Sequence, residues 1–138
     1  QYPWGNDWIA DRCASAEMGV DAALHPVGSF REGVSPFGCF DMAGNAAEWT
    51  STWYNPYEGN RDININYGQI YKVLRGGSFK SDKFSVRAPR RDMGPRDMVR
   101  ADVGMRLVVD AVEVNGVLSP AAVPVEALSE AAPTAATP

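Results

Sequence analysis

Apolar positions along the chain come in short runs broken by glycine, proline and asparagine, without a sustained helical period. This pattern predicts a loop-rich fold of short strands rather than a helical bundle. Residues 1–36 are punctuated by Gly and Pro and support one short helix around Ala10–Ala16. Residues 37–56 run from an apolar segment through a Gly44-Asn45 turn into a strand over Ala47–Tyr54. Residues 55–70 form a polar loop rich in Asn, Gly and Tyr. Residues 71–110 open on a strand, Tyr71–Leu74, and pass through Arg75-Gly76-Gly77-Ser78-Phe79 and an arginine-rich stretch. They end in a strand over Val103–Val109, whose apolar end predicts a buried position. From Gly116 onward Pro, Ala, Val, Ser and Glu dominate, with no aromatic residue and no Lys or Arg. Leu118–Pro138 therefore reads as a flexible extension, with Val112–Val117 placed to pair at a sheet edge. The expected organisation is a domain over 1–110 and an edge segment with a tail over 111–138.

Composition narrows the class. A chain of 138 residues that is 45% apolar carries one domain with a real core. Four Trp, five Tyr and five Phe point to an aromatic-rich interior. A net charge of -4 argues against a nucleic-acid binder. The charge is uneven: Arg75 to Arg106 holds nine Lys/Arg against four Asp/Glu, a balance of +5, and the rest balances to -9. Such a basic stretch is either a set of arginines bridging loops to carboxylates, the preferred reading, or an anion-accepting face. It lacks the interleaved basic and aromatic pattern of RNA and single-strand binders.

The two cysteines, Cys13 and Cys39, and the single histidine, His25, show no metal spacing, which excludes a Cys/His zinc site. The cysteines read as two separate, partly buried thiols, with a disulfide as the alternative in an oxidising compartment. His25 precedes Pro26 in a loop without a nucleophile partner and reads as structural rather than as a general base. No apolar run is long enough to span a bilayer and no signal peptide is visible. The opening Gln1-Tyr2-Pro3-Trp4, without an initiator Met, is expected to be an internal point of a longer or processed polypeptide.

The stretch Asp41-Met42-Ala43-Gly44-Asn45-Ala46-Ala47-Glu48-Trp49 carries the most chemistry. Gly and Asn tolerate positive φ, so Gly44-Asn45 is a tight turn. The flanking carboxylates of Asp41 and Glu48, with backbone carbonyls between them, are hard oxygen donors suited to Ca²⁺. The alternative is a plain turn with a solvated Asp and a Glu capping nearby backbone.

Six motifs occur in order: Tyr2-Pro3-Trp4-Gly5, Pro26-Val27-Gly28-Ser29-Phe30, Pro36-Phe37-Gly38, Asp41–Trp49, Arg75–Phe79 and Val103-Gly104-Met105-Arg106. Together, over about residues 2–108, they resemble the C-terminal half of a domain of the formylglycine-generating enzyme, or sulfatase-modifying factor, family. The resemblance implies an irregular, loop-rich α+β fold related to C-type lectins, with bound Ca²⁺. The family's N-terminal half has no counterpart here, which implies either a protein partner or another chain that supplies that half, or upstream residues of the same polypeptide that were cleaved or not included. Isolated, the piece is expected to leave sheet edges unpaired and apolar surface exposed.

By the same resemblance, the Ca²⁺ ligands are Asp41, Gly44, Ala46 and Glu48. A further family Ca²⁺ site is put in doubt by Ala14, which stands where an Asn is usual. Oxidases of the family carry two cysteines after the Gly-Gly-Ser-aromatic motif, and these bind copper(I), which favours soft thiolates. The first position is Ser81 here and the second has no counterpart, so no copper is expected. Cys39 stands at a usually apolar position and is expected in the core. Arg75, Arg87, Arg91 and Arg106 stand at family-typical positions and are expected to pair with buried carboxylates and loop carbonyls. The resemblance thus implies a non-catalytic structural or protein-binding module of an extracytoplasmic, for example periplasmic, assembly, without nucleic acid and without a membrane span. Its candidate surface elements are Asn55–Gln69 and Lys80–Arg100. Two alternatives stay open: a ligand-binding lectin-like variable protein, and an oxidoreductase of the formylglycine-generating or pyoverdine-maturation type completed by another chain. The ergothioneine-type sulfoxide synthases are also similar, with iron ligands supplied by a separate domain.

Overall fold

A computed structural model describes residues 1–108 and the backbone of Ala111–Val114 and Val117–Pro120. Within the unit Gln1–Arg106, four strands form a mixed sheet among long loops. They are β1 (Ala47–Trp53), β2 (Tyr71–Arg75), β3 (Asp92–Pro95) and β4 (Val103–Gly104), in the spatial order β3-β2-β1-β4. β2 runs antiparallel to both β1 and β3, and β4 runs parallel to β1. Glu48 stands opposite Arg75, and Trp49 opposite Leu74. The ladder is irregular between Trp49 and Trp53, where the Thr50 hydroxyl donates to the Val73 carbonyl at 3.0 Å.

Burial explains the order. Val73 and Leu74, consecutive residues on β2 that point to opposite faces, are 2% and 1% exposed, so the central strand is covered on both sides. β3 approaches closely at Gly94: a Cβ there would stand 2.6 Å from Met98 Cε and 3.0 Å from the Trp49 ring. The core continues through Cys13, Ala43 and Val86, against which Tyr2, Trp4 and Trp8 pack. Tyr2 and Trp4 stack at 5.3 Å, and the Tyr2 hydroxyl donates to the Lys83 carbonyl at 3.0 Å.

Several expectations are corrected. In place of a helix over Ala10–Ala16 there are two 3₁₀ segments, Ala10–Arg12 and Ala16–Asp21. Between them Cys13, Ala14 and Ser15 are each at most 2% exposed. Three successive buried residues cannot share one helical face, and Cys13 and Ser15 adopt extended backbone. The strand expected over Val103–Val109 is confined to Val103–Gly104. Met105, Leu107 and Val108 follow at 74–87% exposure, and Val109 lies outside the described residues. Cys39 is exposed rather than in the core. The Ser35–Cys39 turn faces it outward, closed by Ser35 N–H to Cys39 O at 2.9 Å and Cys39 N–H to Ser35 Oγ at 3.1 Å. β3 was not expected, because Gly and Pro are depleted in strands; an edge position next to β2 accepts them.

The second unit contributes β5 (Ala111–Val114) and β6 (Val117–Pro120), which pair antiparallel with each other. The segment Val112–Val117, expected at a sheet edge, is thus shared between the two strands of this hairpin, and Leu118–Pro120, expected in a flexible tail, belong to β6. Residues 121–138 of that expected tail lie outside the described residues.

Candidate functional site

Backbone strain concentrates in the 41–48 loop. Among the described residues, Asp41 (φ 53°) and Asn45 (φ 61°) are the non-glycine residues with positive φ, and Gly44 (φ 71°) lies between them. Non-glycine residues enter this region at a cost and stay only when their surroundings hold them. Here the surroundings are specific. Gly44 N–H donates to Gly76 O, Asn45 N–H to Ala14 O, and Phe79 N–H to Asn45 O, each at 2.9 Å. The Asn45 amide clamps the backbone of His25, accepting from its N–H at 2.9 Å and donating to its carbonyl at 3.1 Å. Asn45 therefore ties three distant segments together, a role its place in a turn motif did not reveal.

Asp41, Ala46 and Glu48 line one cleft with Arg106. Gly44 is not part of that lining and packs against Ala14, where an added Cβ would stand 2.0 Å from the carbonyl oxygen. Asp41 Oδ2 accepts the Gly28 N–H at 2.7 Å. Glu48 forms a fork with Arg106, Nε to Oε2 at 2.6 Å and Nη2 to Oε1 at 2.5 Å. The same Nη2 reaches the carbonyls of Phe40 at 3.1 Å and Asp41 at 3.2 Å. The Glu48 carboxylate raises the Arg106 pKa further above its ordinary value. The cleft holds two carboxylates among Val27, Phe40, Met105 and the Arg106 guanidinium, and among the described residues no three His, Cys, Asp or Glu side chains cluster. A hard cation would therefore need backbone carbonyls as well and would compete with Arg106 for Glu48.

A second polar centre lies under the Arg75–Phe79 motif. Asp102 is 1% exposed and accepts hydrogen bonds from Arg100 Nη2 at 2.6 Å, Arg100 Nε at 3.0 Å and Ser78 Oγ at 3.1 Å. Lys80 Nζ stands 3.9 Å away. The Arg100 hydrogen bonds hold the Asp102 carboxyl below its usual range despite burial, and the Ser78 bond adds to this. Ser81 Oγ accepts the Ser78 N–H at 3.0 Å and lines a cavity of about 90 Å³ with Ser78, Ser85, Arg90 and Arg100. The Ser81 hydroxyl is thus already used in a turn. Cys13 lies in the core, where burial pushes its thiol up to about 11. Cys39 lies in an apolar groove with Phe37 and Met42.

The arginines divide differently from expectation. Arg75 Nη1 donates to the carbonyls of Ala88, Pro89 and Arg90 at 3.0–3.3 Å, Arg87 Nε to Phe84 O at 2.9 Å, and Arg91 Nη1 to Asn55 O at 2.8 Å. These three bind loop carbonyls, as expected. Arg106 meets both a carboxylate, Glu48, and the loop carbonyls of Phe40 and Asp41, while the fully buried carboxylate, Asp102, is taken by Arg100, which no sequence signal singled out.

Comparison with known proteins gives the family and the fold. The family model of the sulfatase-modifying factor enzyme 1-like domain matches residues 1–111. The chain is 30% identical over 116 residues to the hercynine oxygenase of Mycobacterium tuberculosis, covering 80% of this chain and 27% of that one. It is 36% identical over 112 residues to the serine/threonine-protein kinase pkn1 of Chlamydia caviae, covering 77% of this chain and 17% of that one. The chain therefore spans about a quarter or less of these relatives. Among solved structures, Treponema denticola variable protein 1 superposes with a TM-score of 0.57 at 22% identity, over 69% of this chain and 34% of that one. At that identity the likeness speaks for the fold alone.

Proposed function

The chain belongs to the sulfatase-modifying factor enzyme 1-like domain family, and on that premise we propose that it is a non-catalytic binding module stabilised by Ca²⁺. The observation that carries the reading is Ser81. Its hydroxyl accepts the Ser78 N–H where the family's oxidases place a thiolate. A hydroxyl is a hard, protonated donor and does not replace a thiolate toward copper(I). The two thiols of the chain stand elsewhere, Cys13 buried and Cys39 exposed.

In this reading the fold supplies rigidity and the loops Asn55–Gln69 and Lys80–Arg100 supply contacts. The relatives support it indirectly: a matched region that makes up a minor part of each fits a domain used as an attachment. Asp41, Gly44, Ala46 and Glu48 would hold the Ca²⁺, whose role would be to fix the 41–48 loop. The module works with a protein partner, on the same or another chain, in an extracytoplasmic assembly.

Copper(I) titration of the reduced protein against a competing chelator tests the reading. The expected result is no binding that survives the chelator. A tight one-to-one complex would show that the chain retains a thiolate copper site and would sink the proposal.

A further inference from the structure

Five guanidinium groups on the basic stretch, those of Arg75, Arg87, Arg90, Arg91 and Arg96, take part in no ion pair among the described residues. The ion pairs there are Arg12–Glu32, Lys80–Asp102, Arg100–Asp102 and Arg106–Glu48. Arg75, Arg87, Arg90 and Arg91 nonetheless converge. Arg75 Nη1 gathers the carbonyls of residues 88–90, and its Nη2 donates to the Tyr57 hydroxyl at 3.1 Å. Arg91 lies over the Tyr57 ring at 4.0 Å and the Tyr54 ring at 4.9 Å. Tyr54, Arg87, Pro89, Arg90 and Arg91 line an open cleft of about 320 Å³.

This arrangement is organised in advance of any ligand. Arg75, Arg87 and Arg91 are each held through part of the guanidinium by a backbone carbonyl, so ordering them on binding costs less side-chain entropy. Stacking a guanidinium on a ring leaves its in-plane N–H groups free to meet a planar carboxylate. Two nearby acids accept backbone N–H bonds, Asp82 Oδ1 from Ser85 at 2.7 Å and Asp92 Oδ1 from Met93 at 2.8 Å. The Arg90 charge also acts on Asp82 without forming an ion pair with it.

We infer that the Tyr54–Arg87–Pro89–Arg90–Arg91 cleft binds an acidic peptide segment of a partner protein. This rests on the binding-module reading above and gives it a partner chemistry. Carboxylates of the segment meet the guanidinium groups, and its apolar side chains lie along Pro89 and the tyrosine edges. Nucleic acid fits less well. Arg91 already stands over one face of each of the Tyr57 and Tyr54 rings, which leaves less ring surface for bases to stack on. A short acidic segment senses mainly the local positive face, because salt screens charges beyond about 8 Å at physiological ionic strength.

The test is fluorescence anisotropy with a labelled oligoglutamate peptide and its oligoglutamine counterpart, on the full chain. The glutamate peptide is expected to bind with an affinity that falls as salt rises, and the glutamine peptide is expected not to bind. Arg87→Glu and Arg90→Glu, at exposed positions, are each expected to loosen binding about fivefold or more, with Arg31→Glu as an exposed control that leaves it unchanged. Near-UV circular dichroism and the milder Arg90→Gln separate loss of binding from loss of fold. Absence of binding, equal binding of the glutamine peptide, or an equal loss at Arg31→Glu overturns the inference. So does displacement by inorganic phosphate or a single-stranded oligonucleotide at lower concentration than by unlabelled peptide. Any of these results leaves the module reading standing, since copper titration decides that separately.

Discussion

Cys13 and Cys39 carry the same thiol in opposite surroundings. Cys13 is 2% exposed and Cys39 stands at the surface. A thiol reagent at pH 8 is therefore expected to label Cys39 in the native protein and Cys13 only after unfolding, read by mass spectrometry of the labelled peptides. Burial raises the Cys13 pKa from 9.0 to about 11, so the folded state favours the neutral thiol. The stability this contributes is complete below pH 9 and is lost as the pH rises toward about 11. Cys13→Ala should flatten that alkaline limb in urea titrations, whereas Cys39→Ala should leave it intact. Asp102 has the opposite sign. Its folded pKa is depressed, so its contribution is present above the ordinary carboxylate range and fades as acid brings the pH down through the folded value. Asp102→Asn is expected to cost about 2 kcal/mol at neutral pH, the scale of a hydrogen bond to a charged group, and to weaken the acid dependence. An unchanged acid limb would remove Asp102 from the account.

At the scale of elements, β1 is fastened from its N-terminal end. Glu48 at its second residue forks onto Arg106, just beyond β4, and Ala47 N–H donates to Asp102 O at 2.9 Å. Arg106 and a Ca²⁺ ion compete for the same Glu48 oxygens. Arg106→Gln should therefore lower Tm without added metal and tighten Ca²⁺ binding in calorimetry, because the ion no longer displaces a cation. If neither the parent chain nor the variant binds Ca²⁺, the Asp41–Glu48 cleft is an ion-pair site and not a metal site. Strands β1 and β2 were legible because Thr, Trp, Tyr, Val and Leu favour pleated backbone and are bounded by turn residues. β3 was not, since Asp92-Met93-Gly94-Pro95 has no strand signal of its own and is recruited by the edge of β2 and the indole of Trp49. The Val103–Val109 run shows the converse. Its apolar pattern promises a strand, but pairing with β1 ends at Gly104.

At the scale of the molecule, the fold leaves apolar surface uncovered. Val27 is 89% exposed, Phe37 92% and Val99 95%, with Phe40 and Met42 near 40%. Phe37 and Met42 line one apolar groove, and Val27 and Phe40 line a separate cleft. The native chain is expected to bind an apolar fluorescent dye such as ANS while keeping its near-UV circular dichroism. No dye binding at native signal would mean that the apolar side chains cover one another in solution.

The sequence by itself determined the turn geometry and the chemical inventory. Gly-Asn, Gly-Gly and Pro-Phe-Gly fix local backbone through their own sterics, and a serine at position 81 cannot supply a thiolate whatever surrounds it. The tertiary structure alone decided the pairings. Which arginine meets Glu48, across 58 residues, and which backbone Asn45 clamps, 20 residues away, depend on how distant segments pack. It also decided that Cys39 faces out and that three successive residues at Cys13 go in. Burial and partner choice are long-range outcomes of chain packing, and a residue's neighbours along the chain do not encode them.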